Sequence, residues 1–563
     1  MKIIVLNSAD VRIEVLTVSD RLIENDDIEQ FLSEHGYSLN SISWMAAPVD
    51  FVPVKFHEYG ICAADGEEIH AERDARLKDF SIYDNERKIL QDALTDEYSQ
   101  FIAVYGRRRV GKTFLIRESY DYHFTFQFTG AAKIPARKQL ARFRMALKEH
   151  GLTDMPPVFS NWIIAFSELK RFITLQPEGK KIIFLDELPW MDAPRSGFLS
   201  ELESFWNEWA SARKDIVFVV CGSATSWMVK KIIKNKGGLH NRLTHRIALK
   251  PFSLRLCEEL MASRGIEMTR KQILNGYMIF GGVPYYWSLL QKGASLSQEV
   301  DRLIFSKEGD MYDEFSMLYA ALFKKPEPYI KVISLLAGKK EGMTRLELIE
   351  EGGLEDNGKL TDLLNDLEWC GFIRGYSVIG KQTKDEIFQL IDHYTLFYYE
   401  YINGKRHGIN FWQSTEGTPR YYNWCGRAFE RVCLCHTDQI KQKLGISGIL
   451  TEEYAWRYIP KKKKEDEEPA VAKGKRKKEG CQIDLLIDRS DGIIDLCEMK
   501  YHEGKFTISE SYQEDLNNRK NIFKEASKTP KAVHNIMVTT DGLAHNAYSK
   551  EIQNEVCLGD LFL

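Results

Sequence analysis

Residues 106–113 constrain this chain more than any other stretch: Gly106, Arg107, Arg108, Arg109, Val110, Gly111, Lys112 and Thr113. The apolar run Phe101, Ile102, Ala103, Val104 and Tyr105 precedes them, and the helix-like Phe114, Leu115, Ile116, Arg117 and Glu118 follow. A GxxxxGK[ST] pattern between a strand and a helix predicts a loop whose backbone N–H groups point inward around phosphates. The glycines permit the curl, and the helix N-terminus favours an anion. In such a loop Lys112 reaches the β and γ phosphates of a nucleotide, and Thr113 holds Mg²⁺ through its hydroxyl. The competing reading is a glycine-rich turn that binds nothing. The strand-then-helix context argues against it.

A second motif fits the first. Lys181, Ile182, Ile183, Phe184 and Leu185 read as a buried strand that ends in Asp186 and Glu187. Strands of a parallel α/β sheet are apolar through their length, and ligands bind beyond their carboxyl ends. Asp186 is thereby expected at the water shell of Mg²⁺, and Glu187 is suited to orient or deprotonate an attacking water. A third apolar strand, residues 216–221, runs into Gly222 and Ser223. Ser223 is either a sensor of the γ-phosphate or an ordinary turn residue. Arg242 and Arg246, before the strand-like residues 247–249, are candidates for a nucleotide phosphate, in cis or across a subunit contact; surface ion pairing is the alternative.

The 563 residues allow several domains, and the composition of 44% apolar and 28% charged residues is that of an ordinary globular protein. No apolar run reaches the roughly 18 residues of a membrane span. The expectation is a cytoplasmic protein without a membrane partner. A net charge of −4 gives no global pull toward nucleic acid, so such binding must come from local patches. Cys433, Cys435 and His436 lack zinc-ligand spacing and read as buried thiols on a helix.

Five parts are expected. Residues 1–75 alternate like a small α+β accessory domain, with extended segments near 11–16, 42–45 and 52–54 and a helix start near 26–32. Residues 76–252 form the phosphate-binding core, a parallel sheet with covering helices. Residues 253–325 read as a helical lid, with Gly281 and Gly282 before Pro284 marking a turn. Residues 326–400 read as a winged helix: Leu360, Leu363, Leu364 and Leu367 give its third helix an apolar stripe. That helix carries Lys359 but also Asp362, Asp366 and Glu368, which repel phosphates, so it is expected to be structural or protein-facing. Residues 401–563 form a last α/β domain, interrupted by a charged insert at 461–480 that reads as disordered, either a solvated loop or a basic arm.

The last domain has its own constellation. Residues 482–488 and 493–500 read as a hairpin. Glu498 and Lys500 share one strand face, and the hairpin can bring Asp484 beside them. Glu430, on a helix-like segment, can add a carboxylate. Asp484, Glu498 and Glu430 suit a divalent metal, with Lys500 as a non-ligand that positions water or offsets charge. An exposed hairpin with ordinary charges is the alternative.

Together, residues 104–113, 185–191, 221–224, 281–285 and 426–430 resemble the prokaryotic, especially archaeal-type, ATPase family with an AAA+/STAND-like core and a C-terminal DUF234 domain. The resemblance spans about 85–515. It implies an α/β multidomain protein with ATP and Mg²⁺ bound at the core, a helical lid, a winged helix and a C-terminal fold similar to PD-(D/E)xK nucleases, the restriction-endonuclease-like fold. By position it makes Asp186 and Glu187 the Walker B pair, gives Ser223 the sensor place and Arg242 the arginine before the closing strand. The nuclease-like pattern falls on Asp484, Glu498 and Lys500, with Glu430 as the helix carboxylate. Residues 1–75 lie outside the family pattern. Three functions follow as expectations: an Mg²⁺-dependent ATPase controlling a nuclease-like or DNA-interacting domain, an ATP-gated metal-dependent DNA nuclease, or a nucleotide-switched scaffold for a protein partner. Assembly into an oligomer is compatible with each.

Overall fold

The computed structural model describes residues 2–7, 12–17, 42–47, 83–377, 386–458 and 481–563. The chain divides into two compact units, Met1–Ser81 and Ile82–Leu563. In the first, β1 (Lys2–Asn7), β2 (Arg12–Thr17) and β3 (Ile42–Ala47) form an antiparallel sheet of order β2-β1-β3. The helix start expected near 26–32, the extended segment near 52–54 and the charged insert at 461–480 lie outside the described residues.

The second unit begins with a helix, Asp84–Asp92, and a five-stranded parallel sheet. Its strands are β4 (Gln100–Tyr105), β5 (Phe126–Thr129), β6 (Lys181–Asp186), β7 (Ile216–Gly222) and β8 (His245–Ala248). Their order is β5-β6-β7-β4-β8. Helices cover both faces, which is why these strands are apolar rather than alternating. Phe101 and Ala103 face one core, with Phe126, Phe143 and Trp162. Ile102 and Val104 face the other, with Leu115 and Val219. Strand β7 lies between β4 and β6. The chain can therefore place Ser223 between the phosphate loop after β4 and the acidic pair at the end of β6.

Helices Leu254–Ser263, Arg270–Phe280, Pro284–Ser288 and Glu314–Leu322 follow. Thr269 and Gln272 start the second of these with a reciprocal capping box. Next come helix Glu327–Ala337, β9 (Met343–Thr344), helices Arg345–Gly352 and Gly358–Trp369, β10 (Ile373–Tyr376) and β11 (Ile387–Leu390). The three short strands form an antiparallel sheet of order β10-β11-β9. Leu360, Leu363, Leu364 and Leu367 are all buried. On the same helix, Asp366 and Asp362 take Lys230 of the preceding α/β region, at 2.8 and 3.4 Å.

The last region holds helix Pro419–Cys435, then β12 (Thr451–Tyr458), β13 (Cys481–Arg489), β14 (Ile493–Lys500) and β15 (Phe506–Thr507). Helix Glu510–Ser527, β16 (Ala532–Thr539), β17 (Leu543–Ala544) and β18 (Asn554–Cys557) complete it. The main sheet has order β12-β13-β14-β16-β18, antiparallel through β14 and parallel beyond it. Cys433 is buried and His436 accepts the Leu254 backbone N–H on Nε2 at 3.0 Å, so these two are packing, whereas Cys435 is exposed rather than the buried thiol expected. Among the described residues no helix is long and apolar enough to cross a membrane.

Candidate nucleotide-binding site

Residues 106–113 connect β4 to the helix Lys112–Ser119. Two glycines are required by geometry. Gly111 sits at φ +88°, a conformation L side chains rarely adopt. Gly106 lies at φ +148°, and a Cβ there would stand 2.2 Å from the Leu249 carbonyl oxygen. Val110 is buried in the sheet core, and the Tyr83 hydroxyl donates to its carbonyl at 2.8 Å. Lys112 is buried, and its Nζ donates to the carbonyls of Gly106 (3.0 Å) and Arg107 (2.9 Å). Burial pushes this ammonium below the usual lysine range, although Cys221, Glu187 and Asp186 oppose the shift.

The acidic pair stands beside the loop. Thr113 Oγ1 donates to Asp186 Oδ2 at 3.1 Å, across 73 residues of sequence. The Cys221 thiol and the Glu187 backbone N–H donate to Asp186 Oδ1 at 2.6 and 2.9 Å. Burial raises the Asp186 carboxyl above its ordinary value. A desolvated carboxylate beside a hydroxyl is an oxygen donor set that fits Mg²⁺. Glu187 adopts left-handed backbone geometry at φ 50°, uncommon for a side chain of its size. Both its carboxylate oxygens are taken by Ser223, from the hydroxyl at 2.5 Å and the backbone N–H at 3.2 Å.

Two loop arginines find their partners outside the loop. Arg107 is buried, pairs with Asp392 and stacks over Phe372 at 5.1 Å. Arg109 pairs with Glu314 and lies 4.3 Å above the Tyr285 ring. Glu314 also accepts from the Tyr286 hydroxyl at 2.6 Å. Asp392 caps the helix His393–Phe397 by accepting the Thr395 N–H at 2.9 Å. The sequence reading missed Asp392 and Glu314. No local pattern marks residues that act across 285 and 205 positions. Arg108 is half-buried on the loop. Arg242 is exposed on the turn before β8, and Arg246 is exposed on β8 itself.

The C-terminal carboxylates are brought together only in part. Glu430 is buried against Lys340 Nζ at 2.7 Å, and its Oε2 has no hydrogen-bond partner among the described residues. Burial, with the nearby charge of Asp484, raises its carboxyl to about 7. Asp484 accepts from Gln482 at 2.5 Å. Glu498 is held by Lys500 (2.8 Å), Arg519 (2.5 Å) and the Tyr512 hydroxyl (2.8 Å). Burial alone would raise Glu498; the two cations bring it below its ordinary value. Among the described residues no group of three or more His, Cys, Asp and Glu side chains is disposed to hold a metal ion. Asp484 acts on Glu430 through its charge, whereas the charge of Glu498 is spent on Lys500 of its own strand and Arg519 of the helix Glu510–Ser527.

Residues 84–290 match the profile of an ATPase domain found predominantly in Archaea. An uncharacterized protein of Methanocaldococcus jannaschii is 24% identical over 355 residues, covering 62% of this chain and 75% of that protein. A Walker-type ATPase of Pyrococcus abyssi overlaps with a TM-score of 0.38 at 14% identity, over 60% of this chain and 95% of that one. The ORC2 protein of Aeropyrum pernix, in ADPNP and ADP complexes, overlaps with a TM-score of 0.36 at 14% identity, over 60% and 94%. The match spans the part of the chain that holds the 106–113 loop and the acidic pair Asp186–Glu187.

Proposed function

We propose that this chain binds ATP at residues 106–113 and hydrolyses it, and that the state of the nucleotide acts on the segments downstream. The observation that carries the reading is the meeting of Thr113 and Asp186 at 3.1 Å, beyond the carboxyl ends of β4 and β6, two strands of one parallel sheet with β7 between them. ATP is the substrate. Lys112 donates to its own loop's carbonyls, and those N–H bonds are the ones a triphosphate takes over. Thr113 and Asp186 would hold Mg²⁺, which offsets the charge developing on the phosphoryl oxygens. Glu187 orients the attacking water and accepts its proton. Ser223 keeps Glu187 in place through two hydrogen bonds and makes its carboxylate part of a fixed unit. Arg242, exposed, supplies a phosphate contact to its own nucleotide or to that of a neighbouring copy.

Arg107–Asp392 and Arg109–Glu314 support coupling, because both pairs start on the phosphate loop and end beyond the ATPase domain. The helices and β10-β11-β9 sheet of residues 327–390 fit a winged helix, turned toward protein by the Asp366–Lys230 contact. The test is ATP turnover under Mg²⁺ by wild type and Glu187→Gln. Loss of a general base costs roughly 10²–10⁴-fold. A Gln variant that still binds ATP but turns over at the wild-type rate refutes the role.

A second reading, an ATP-gated DNA nuclease, is favoured by one observation: the charge of Asp484, on a sheet of mixed direction, lies close enough to help raise the buried Glu430 carboxyl. Duplex DNA incubated with Mn²⁺ and ATP is cut by wild type and not by Asp484→Ala under this reading. Equal cutting, or none by either, removes it.

A further inference from the structure

Between Asp121 and Glu149 the chain has no carboxylate side chain, yet it carries Lys133, Arg137, Lys138, Arg142, Arg144 and Lys148. In a chain of net charge −4 this is a local excess of cations. Most of the segment is the helix Ala136–Glu149. Its inner face is anchored: Leu140, Phe143, Ala146 and Leu147 are buried, and Phe143 packs on Phe126, Phe128 and Trp162. Its first turn is anchored too. Buried Gln139 bonds both the N–H and the carbonyl of Ala131 and donates to the Trp190 carbonyl at 2.8 Å. The outer face is therefore a rigid platform.

The outer face has an order. At about 100° per residue, Arg137 and Lys148 fall on one edge of the exposed arc, and Lys138 and Arg142 on the other, which also carries the exposed carboxylate of Glu149 at the end of the helix. The exposed Ala141 and Met145 form the ridge between them. All four cations are exposed. Arg144, by contrast, is tied to the Pro156 carbonyl at 2.7 Å. With a rise of 1.5 Å per residue, Arg137 and Lys148 are about 16 Å apart along the axis. A helix about 10–12 Å across enters the major groove of B-form DNA, which is about 12 Å wide, and its edges then face the two phosphate backbones. An uncharged ridge flanked by cations matches that section. The major groove of A-form RNA is too narrow for it.

We propose that the outer face of the helix Ala136–Glu149 docks in the major groove of duplex DNA, with Arg137 and Lys148 on one phosphate strand and Lys138 and Arg142 on the other. This contact belongs to the ATPase domain and needs neither bound ATP nor the C-terminal carboxylates. Four phosphate contacts give a slope of about −3.6 for log affinity against log salt.

The test is fluorescence anisotropy of the full-length protein with a labelled 20-base-pair duplex across a salt series, without nucleotide. Wild type binds at low salt with at least that slope, other basic segments adding to it. Arg137→Gln/Arg142→Gln and, separately, Lys138→Gln/Lys148→Gln each lower the slope by about 2 and weaken low-salt binding at least ten-fold. Their thermal melts and basal ATP turnover stay at wild-type values, because all four side chains are exposed. Lys292→Gln/Lys307→Gln, exposed elsewhere, leaves binding unchanged. The proposal is overturned by absence of binding at low salt, by an unchanged slope in both helix variants, by an equal loss in the Lys292/Lys307 variant, or by equal affinity for an RNA duplex.

Discussion

Arg107 of the phosphate loop and Asp392, 285 residues downstream, form an ion pair whose side chains are 6% and 3% exposed. Burial by itself would raise the Asp392 carboxyl, but the charge and hydrogen bond of Arg107 reverse this and hold it below its ordinary value. The Nε and Nη2 of Arg107 have no partner among the described residues, so Asp392 is what compensates the buried guanidinium. The 106–113 loop is thus connected to the start of the His393–Phe397 helix.

Breaking this pair leaves an uncompensated buried charge. Asp392→Asn is expected to cost about 3–5 kcal/mol, measured by urea unfolding at pH 7. A carboxyl whose folded pKa is lowered contributes stability that is complete above the unfolded value near 4 and is lost as pH falls through the folded value. The gap between wild type and Asp392→Asn therefore narrows below about pH 4. A gap that is absent at pH 7, or that widens in acid, refutes the pairing.

Ser223 and Glu187 form the second testable pair. Ser223→Ala removes one hydrogen bond to a carboxylate, a contact worth about 1.5–3 kcal/mol. ATP turnover is expected to fall roughly 10–100-fold with nucleotide affinity unchanged, and the loss should not add to that of Glu187→Gln. Steady-state kinetics of the two single variants and the double variant decide this. Full additivity would mean that the two residues act separately.

Glu430 gives a pH signature. Its folded pKa, about 7, is raised above the unfolded value. Such a group contributes stability that is fully present below the unfolded pKa and is lost as pH rises through the folded pKa. Relative to Glu430→Gln, wild type should lose about 3 kcal/mol between pH 4.5 and 8. Parallel pH–stability curves for the two proteins would show that Glu430 is not perturbed.

The strand–loop–helix at 101–119 and the acidic pair were legible because each is local. One run of eight residues at 106–113 contains the loop, and one strand end carries Asp186 and Glu187. The apolar runs at 101–105, 181–185 and 216–221 gave β4, β6 and β7, since strands covered on both faces leave a continuous apolar record. The insertion of β7 between β4 and β6 has no such record, because strand order depends on where crossover helices pack. The partners Asp392 and Glu314 were illegible for the same reason: an ion pair across hundreds of residues leaves no spacing to read. At the C-terminal hairpin the shared strand face of Glu498 and Lys500 was legible, and the two meet at 2.8 Å. The interception of Glu498 by Arg519 and Tyr512 was not, since both arrive from a separate helix.

Binding of a slowly hydrolysed ATP analogue with Mg²⁺, measured by calorimetry on wild type and Lys112→Ala, decides whether residues 106–113 form a nucleotide site. Wild type is expected to bind one nucleotide per chain. Lys112→Ala is expected to lose at least about a hundred-fold in affinity, about 2.7 kcal/mol, while its circular dichroism and melting profile persist. Equal affinity in the two proteins, or no binding by wild type, contradicts the phosphate-loop assignment.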